Sequence, residues 1–231
     1  MEKLTYLQKY RKTVTLVDYG EFLNKGLNSL PELWKSFFTS NNEETITKNI
    51  LYFWKQQIGK KLNNVIAYFE DNLVKVEIIK TNNEFSLLYS IKQENGEILY
   101  YEGKFPQTKF NNYKLEKQWH KIPVSIKDFY KNLHNGFYYY ANISMGLLPL
   151  EKIEALSKYE WRIIDNLIEP LQIDLDSTFT FFTTGIGGYV VIDTNNCFNE
   201  NATIWFSDEK PMYNKNFWNF VDQWIQIGFE E

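Results

Sequence analysis

Hydrophobic positions along this 231-residue chain alternate between helical and strand spacing. In the first third they recur at helical intervals. Leu33, Trp34, Phe37 and Phe38 form one stripe, Ile46, Ile50, Trp54 and Ile58 a second that closes at Gly59, and Leu62, Val65, Ile66 and Phe69 a third. Ser29-Leu30-Pro31-Glu32 has the pattern of a capping box with Pro near the helix start, and Asn41 to Glu44 reads as the start of the next helix. Before them, 14–17 reads as a short strand. From Val74 the period drops to two. Val74, Val76 and Ile78 alternate with Lys75 and Glu77; Phe85, Leu87, Tyr89 and Ile91 alternate again; Ile98 and Tyr100 continue the pattern. Asn82-Asn83 and Asn95-Gly96 are the turns between these runs. The pattern predicts an antiparallel meander with one face buried and one wet.

A polar stretch over 105–118, with Pro106 and Asn111-Asn112, places a domain boundary near residue 112. Beyond it the helical period returns. Ile126, Phe129, Tyr130 and Leu133 make one apolar stripe. Ser125 and Asp128 read as its capping box, and Asn135-Gly136 as its end. Pro149 suits the first position of a following helix, expected over 151–168 and stopped before Pro170. Strands are expected over 178–184, 189–193 and 202–206, with Gly185-Ile186-Gly187-Gly188 turning the first into the second. Phe217, Phe220, Val221, Trp224 and Ile225 predict a closing amphipathic helix. No internal repeat of fixed period is present. The expected class is α+β: a helix-plus-meander domain over 1–112, then a domain over 113–231 with a mainly antiparallel sheet flanked by helices.

The second half resembles the SUKH superfamily. The matching residues are Ile122, Pro123, Phe129, Asn135 and Gly136, then Leu147, Leu148, Pro149 and Ile153, then Gly187-Gly188-Tyr189 leading to Asp193, and the closing helix over 217–227. The resemblance covers about half the chain, 113–231. It implies a bacterial immunity protein that binds and neutralises a cognate toxin domain, often a nuclease. The alternative it leaves is a non-enzymatic regulatory or scaffold protein of cell-wall or signalling type. None of the family's shared motif residues is catalytic.

Composition adds little beyond order: 44% hydrophobic and 18% aromatic residues can build a core. Charge says more. Residues 1–112 carry 15 basic and 13 acidic side chains, a balance of +2, whereas 113–231 carry 10 and 16, a balance of −6. Such an acidic module lacks the cations that phosphate contacts need, so nucleic acid is not an expected partner. It suits a basic protein, since opposite charge speeds encounter, although the same excess also serves plain solubility. On this basis Asp174, Asp176, Asp208 and Glu209 are the expected partner contacts. Residues 1–12 lack the apolar run of a signal peptide and no window suits a membrane span, so a cytoplasmic protein without membrane contact is expected.

Catalytic chemistry finds little footing. Gly185-Ile186-Gly187-Gly188 leads into a strand rather than a helix N-terminus, so it reads as a hairpin turn and not a phosphate loop. His120 and His134 are the only histidines, too few for a zinc site without added ligands. Cys197, the single cysteine, sits in a loop without an active-site signature. Asp174-Leu175-Asp176 lacks calcium-loop spacing. No catalytic residue, metal or cofactor is therefore expected. The aromatic run 137–140 leaves two alternatives: an outward pair that anchors a partner, or burial.

Overall fold

The computed structural model describes residues 2–25, 30–39, 42–107 and 110–230. The fold is α+β. Among the described residues ten strands form one sheet in chain order, and every neighbouring pair is antiparallel. They are β1 (Thr15–Val17), β2 (Leu73–Thr81), β3 (Glu84–Lys92), β4 (Ile98–Lys104), β5 (Phe137–Tyr139), β6 (Met145–Leu147), β7 (Thr178–Thr184), β8 (Gly188–Asp193), β9 (Asn201–Phe206) and β10 (Met212–Asn216). The helices are α1 (Lys3–Tyr10), α2 (Tyr19–Lys25), α3 (Glu32–Lys35), α4 (Glu43–Ile58), α5 (Asn63–Asn72), α6 (Tyr113–Gln118), α7 (Val124–Asp128) and α8 (Phe217–Glu230). None of them is long and apolar enough to cross a membrane.

The expected boundary near residue 112 falls between β4 and α6. The sheet runs past it, because Tyr101, Glu102 and Gly103 of β4 pair with Tyr139, Tyr138 and Phe137 of β5. The main core runs past it too. It joins Trp54, Phe69 and Tyr89 from the first half to Phe137, Trp218 and Phe229 from the second. Helix α8 closes over α5: the Asp222 carboxylate accepts the Asn64 and Val65 backbone N–H groups at 3.1 and 3.0 Å, filling the open donors of that helix start. Burial pushes the Asp222 carboxyl upward, and those two hydrogen bonds oppose the push.

The other face of the sheet is not simply wet. Helix α1 lays Leu7 over Ile79, Leu88 and Tyr100, while 156–175 covers Val191 and Trp205 with Leu156, Trp161 and Ile173. The Trp161 and Trp205 rings stack with centroids 4.1 Å apart. The expected alternation also breaks at Val74, which is 57% exposed, because a bulge between Leu73 and Lys75 shifts the register there.

Three local expectations are corrected. No helix forms over 151–168; instead, three short 3-10 turns stand at Leu150–Lys152, Leu156–Lys158 and Arg162–Asn166. Between them the backbone bonds to β7 rather than to itself: Glu154 O accepts from Thr180 N at 3.0 Å, and Ala155 forms a bridge with Phe179. Ser125 does not cap α7, which starts after Pro123 without a side-chain cap. Its hydroxyl donates instead to Glu200 Oε1 at 2.6 Å and accepts from Trp218 Nε1 at 2.9 Å. The stripe through Leu133 runs from α7 into a π-helical turn, Phe129–Leu133, and ends at an extended His134, before Asn135-Gly136 is reached. The capping box at Ser29 lies outside the described residues. At the next start Asn42 takes the cap, accepting from Thr45 N at 2.9 Å. The polar stretch before residue 118 includes α6, capped by Asn112.

The Asn135-Gly136 pair has a different task from ending a helix. Asn135 Oδ1 accepts Leu150 N at 2.8 Å and its Nδ2 donates to Glu151 Oε2 at 2.9 Å. Gly136 holds φ at +84°, and a Cβ there would stand 2.6 Å from Pro149 N. The Asn-Gly turn is thus clasped against the Pro149-Leu150 turn, and the Tyr130 hydroxyl adds a bond to Leu148 O at 2.7 Å. Asn135→Ala would leave the buried Leu150 N–H without its partner. It is expected to cost about 2 kcal/mol in urea unfolding; a loss within about 0.5 kcal/mol would show that water replaces the clasp.

Candidate protein-docking surface

Two buried polar clusters fix the frame that carries the surface. His134, fully buried, lies under β4. Its Nδ1 meets Lys104 O at 2.9 Å. A carbonyl only accepts, so Nδ1 carries the proton. Nε2 is then an acceptor and takes the Tyr89 hydroxyl at 2.7 Å, and the Tyr89 oxygen in turn takes Trp54 Nε1 at 3.0 Å. Burial pushes the imidazole down to about 3, against the opposing pull of the Lys104 carbonyl, so the ring is neutral. Gly103 makes room for it: a Cβ there would meet ring atoms at 2.6–2.7 Å.

The second cluster lies on the opposite sheet face, beyond the end of α1. Glu102, 2% exposed, pairs with Arg11 and accepts from Ser86 Oγ at 2.6 Å. The Arg11 guanidinium also reaches Tyr140 O at 3.2 Å and lies 4.3 Å from the Tyr140 ring centroid. Close by, Lys104 Nζ bonds Glu151 Oε1 at 2.5 Å and Glu84 Oε2 at 3.2 Å. Burial alone would raise the Glu151 carboxyl; the bonds from Lys104 and Asn135 carry it below the usual range.

Cys197 and His120 line one open groove, but they do not bond each other. The Cys197 thiol donates to Lys121 O at 3.2 Å, while His120 Nδ1 faces Lys117 O at 3.0 Å. Burial raises the thiol above its ordinary value, which favours the unreactive protonated form. The aromatic run resolves to burial: Phe137, Tyr138 and Tyr140 are buried and Tyr139 is half-buried, so no outward pair exists. Gly185 and Gly187 both have φ of +84° and turn β7 into β8, as a hairpin requires. Among the described residues, no three His, Cys, Asp or Glu side chains are gathered as metal ligands.

The four acidic contacts expected from the sequence do not converge. Asp174 and Asp176 stand just before β7, whose Thr178 pairs with Asp193 at the far end of β8. Asp208 and Glu209 follow β9, whose Phe206 pairs with Gly188 at the near end. The six residues of β8 separate the pairs by about 17 Å. All four are exposed, yet Asp174 Oδ1 accepts Asp176 N at 3.0 Å, and the Asp176 carboxylate is held by Lys114 Nζ at 2.5 Å and Ser157 Oγ at 2.8 Å. The Lys114 and Ser157 bonds lower the Asp176 carboxyl.

Asp208 and Glu209 have different neighbours. Ser207 N donates to Gly187 O at 3.4 Å, so their turn lies against the β7–β8 hairpin tip, where Ile186 is 70% exposed. Phe206 lies with its ring centroid 6.0 Å from that of Trp224, which stacks on Phe220 at 4.9 Å and 12°. Trp224 Nε1 donates to Thr184 O at 2.8 Å, fixing the indole beside the tip. Helix α8 buries Phe217, Trp218, Val221, Ile225 and Phe229. Phe220, Trp224 and Ile227 follow at i, i+4 and i+7 on a second stripe; the first two are half-buried and Ile227 is 40% exposed. Phe206, Phe220 and Trp224 therefore form a partly exposed aromatic cluster, and the hairpin tip carrying Ile186 and the turn carrying Asp208 and Glu209 adjoin it through Thr184, Gly187 and Ser207. The sequence carried a signal for it: α8 has too many apolar residues for one stripe. Ile186 gave none, since it looked like a spacer between glycines.

Comparison with known proteins gave no match to a family model, a curated protein or a solved structure.

Proposed function

We propose that this chain is a non-enzymatic, bacterial, cytoplasmic immunity-type protein that binds a basic domain of a cognate protein toxin and blocks it. The observation that carries the reading is the aromatic cluster of Phe206, Phe220 and Trp224, adjoined by the tip carrying Ile186 and the turn carrying Asp208 and Glu209. Aromatic anchors beside a charged rim are what a protein partner buries, and carboxylates there favour a basic one. The SUKH-like residues support the same reading in a second way. Asn135, Gly136, Leu148 and Pro149 spend their polar and steric features on the clasp between two turns, which leaves the surface free to be specific. Asp174 and Asp176 lie too far away for the same small face and would contact only a larger partner.

The test uses the C-terminal domain of a toxin encoded beside this chain. Calorimetry should give binding at micromolar concentration or tighter, with loss of the toxin's activity. Ile186→Asp changes an exposed tip and should leave folding intact, yet weaken binding by about tenfold or more. Asp208→Lys with Glu209→Lys should weaken it further, with the larger effect at low salt. Absence of binding would remove the immunity reading, and binding without inhibition would favour the regulatory or scaffold alternative.

A further inference from the structure

A second surface differs in charge and stands apart from the face around Ile186 and Trp224. The Trp119–Lys121 turn, the start of α7 and 194–200 enclose an open groove of about 810 Å³. Phe198 stands at its edge, 81% exposed, and Val124 is 66% exposed. Phe198 is held out by a built support. The next two residues, Asn199 and Glu200, are left-handed, with φ of 52° and 63°. Glu200 turns inward, where its carboxylate accepts from Lys61 Nζ at 2.7 Å, Ser125 Oγ at 2.6 Å and Asn216 Nδ2 at 3.3 Å. Trp218 Nε1 braces Ser125 from below. On the other side, the Cys197 thiol ties the loop to Lys121 O. An exposed ring on a fixed loop loses little entropy when a partner covers it.

The charges around the ring are positive. Lys121 Nζ bonds the neutral Asn195 Oδ1 at 3.2 Å, and Lys127 Nζ bonds His120 O at 3.2 Å. Neither forms an ion pair with a carboxylate among the described residues. The one carboxylate lining the groove, Glu200, already has three donors. A groove of this sign, in a half with a balance of −6, does not suit the basic partner proposed above.

We propose that this groove is a second binding site, for an acidic polypeptide segment that places an apolar side chain against Phe198 and Val124 and its carboxylates on Lys121 and Lys127. Phe198 is the anchor, and the lysines set sign and register. The site is independent of the toxin-binding reading and stands or falls separately from it.

The test titrates the full chain, by amide NMR shifts, with a synthetic peptide of glutamates flanking a central Leu-Phe pair. A matched peptide with every Glu replaced by Gln and a single-stranded oligothymidine are run beside it. The acidic peptide should bind saturably, in the millimolar range or tighter, with shifts confined to the groove. Phe198→Ala, and separately Lys121→Glu with Lys127→Glu, should each weaken it by about tenfold, as should the change from Glu to Gln. All three changes lie at the surface, and unchanged shifts elsewhere confirm folding. The proposal is overturned by absence of saturable binding, by equal binding of the Gln peptide, by an unaltered affinity in Phe198→Ala, or by preference for the oligothymidine. Toxin binding through Ile186 and Trp224 should be unaffected by Phe198→Ala, so failure at one surface is distinguishable from failure at the other.

Discussion

Arg11→Ala is expected to cost about 3–5 kcal/mol of unfolding free energy, well beyond the loss from opening the Asn135 clasp. The reason is the group left behind. Glu102 is 2% exposed and its carboxylate has Arg11 as its ionic partner and Ser86 as its hydroxyl donor. Without the guanidinium, a buried carboxylate keeps only neutral donors, Ser86 Oγ and the Tyr138 phenol, and no cation. Burial and the Glu102 charge keep the Tyr138 phenol protonated, so it stays a neutral donor to that carboxylate and supplies no compensating charge. Arg11 also fastens α1 to the sheet through Tyr140 O and the Tyr140 ring, so part of the loss is packing. Denaturant unfolding measures the effect. Adding Glu102→Gln to Arg11→Ala should recover a large part of it, because the neutral amide still pairs with Ser86 and needs no cation. A loss below about 1 kcal/mol in the single variant would mean that water reaches the pair and that Glu102 does not depend on Arg11 for its charge.

Acid should destabilise the protein through His134. Its ring is neutral and fully buried, with Nδ1 donating to Lys104 O and Nε2 accepting from Tyr89. Burial lowers its value from 6.5 in the unfolded chain to about 3 when folded. Below pH 6.5 the unfolded state therefore binds a proton that the folded state refuses. The stability due to this residue is complete above pH 6.5 and declines as pH falls toward 3, by up to about 1.4 kcal/mol per pH unit, on the order of 4–5 kcal/mol across the window. Denaturant unfolding at a series of pH values reads the slope. Few carboxylates with ordinary values titrate between about pH 5 and 6.5, and Asp222, raised by burial, tilts stability the opposite way, so the histidine's share is read as the difference in slope from a variant without it. His134→Gln should start less stable and show a flatter profile in that interval. An unchanged slope in the variant would place the proton elsewhere.

Much of this frame was legible from residue spacing. The period-two runs and Asn turns located β2 to β4, since alternation against a buried face leaves little choice of register. The helical stripes of α4, α5 and α8 were equally clear. What failed shares one cause: a long-range partner took groups that local pattern had assigned to their neighbours. Ser125 looked like a cap, yet Glu200 and Trp218 claim its hydroxyl from 75 and 93 residues away. The apolar residues after Pro149 looked helical, yet Ile153 and Ala155 enter the core from an extended segment bonded to β7. Asn135-Gly136 looked like a helix end and is instead a clasp. At the candidate surface, residue type and charge singled out Asp208 and Glu209 but not their position in the fold. Their distance from Asp174 and Asp176 follows from which strand ends meet, and net charge does not encode that.

The strand order carries an implication for how the molecule assembles. Among the described residues each strand bonds only to its neighbours in chain order, so the sheet can lengthen one strand at a time as synthesis proceeds. The helical cover does not follow that order. Helix α8, which follows all ten strands in the sequence, supplies Asp222 to the start of α5 and sets Phe229 against Phe69 and Tyr101. A nascent chain lacking it exposes a finished sheet with an oily flank, the kind of species that chaperones hold. Arrival of that helix is therefore the step that turns a growing ribbon into a protected particle.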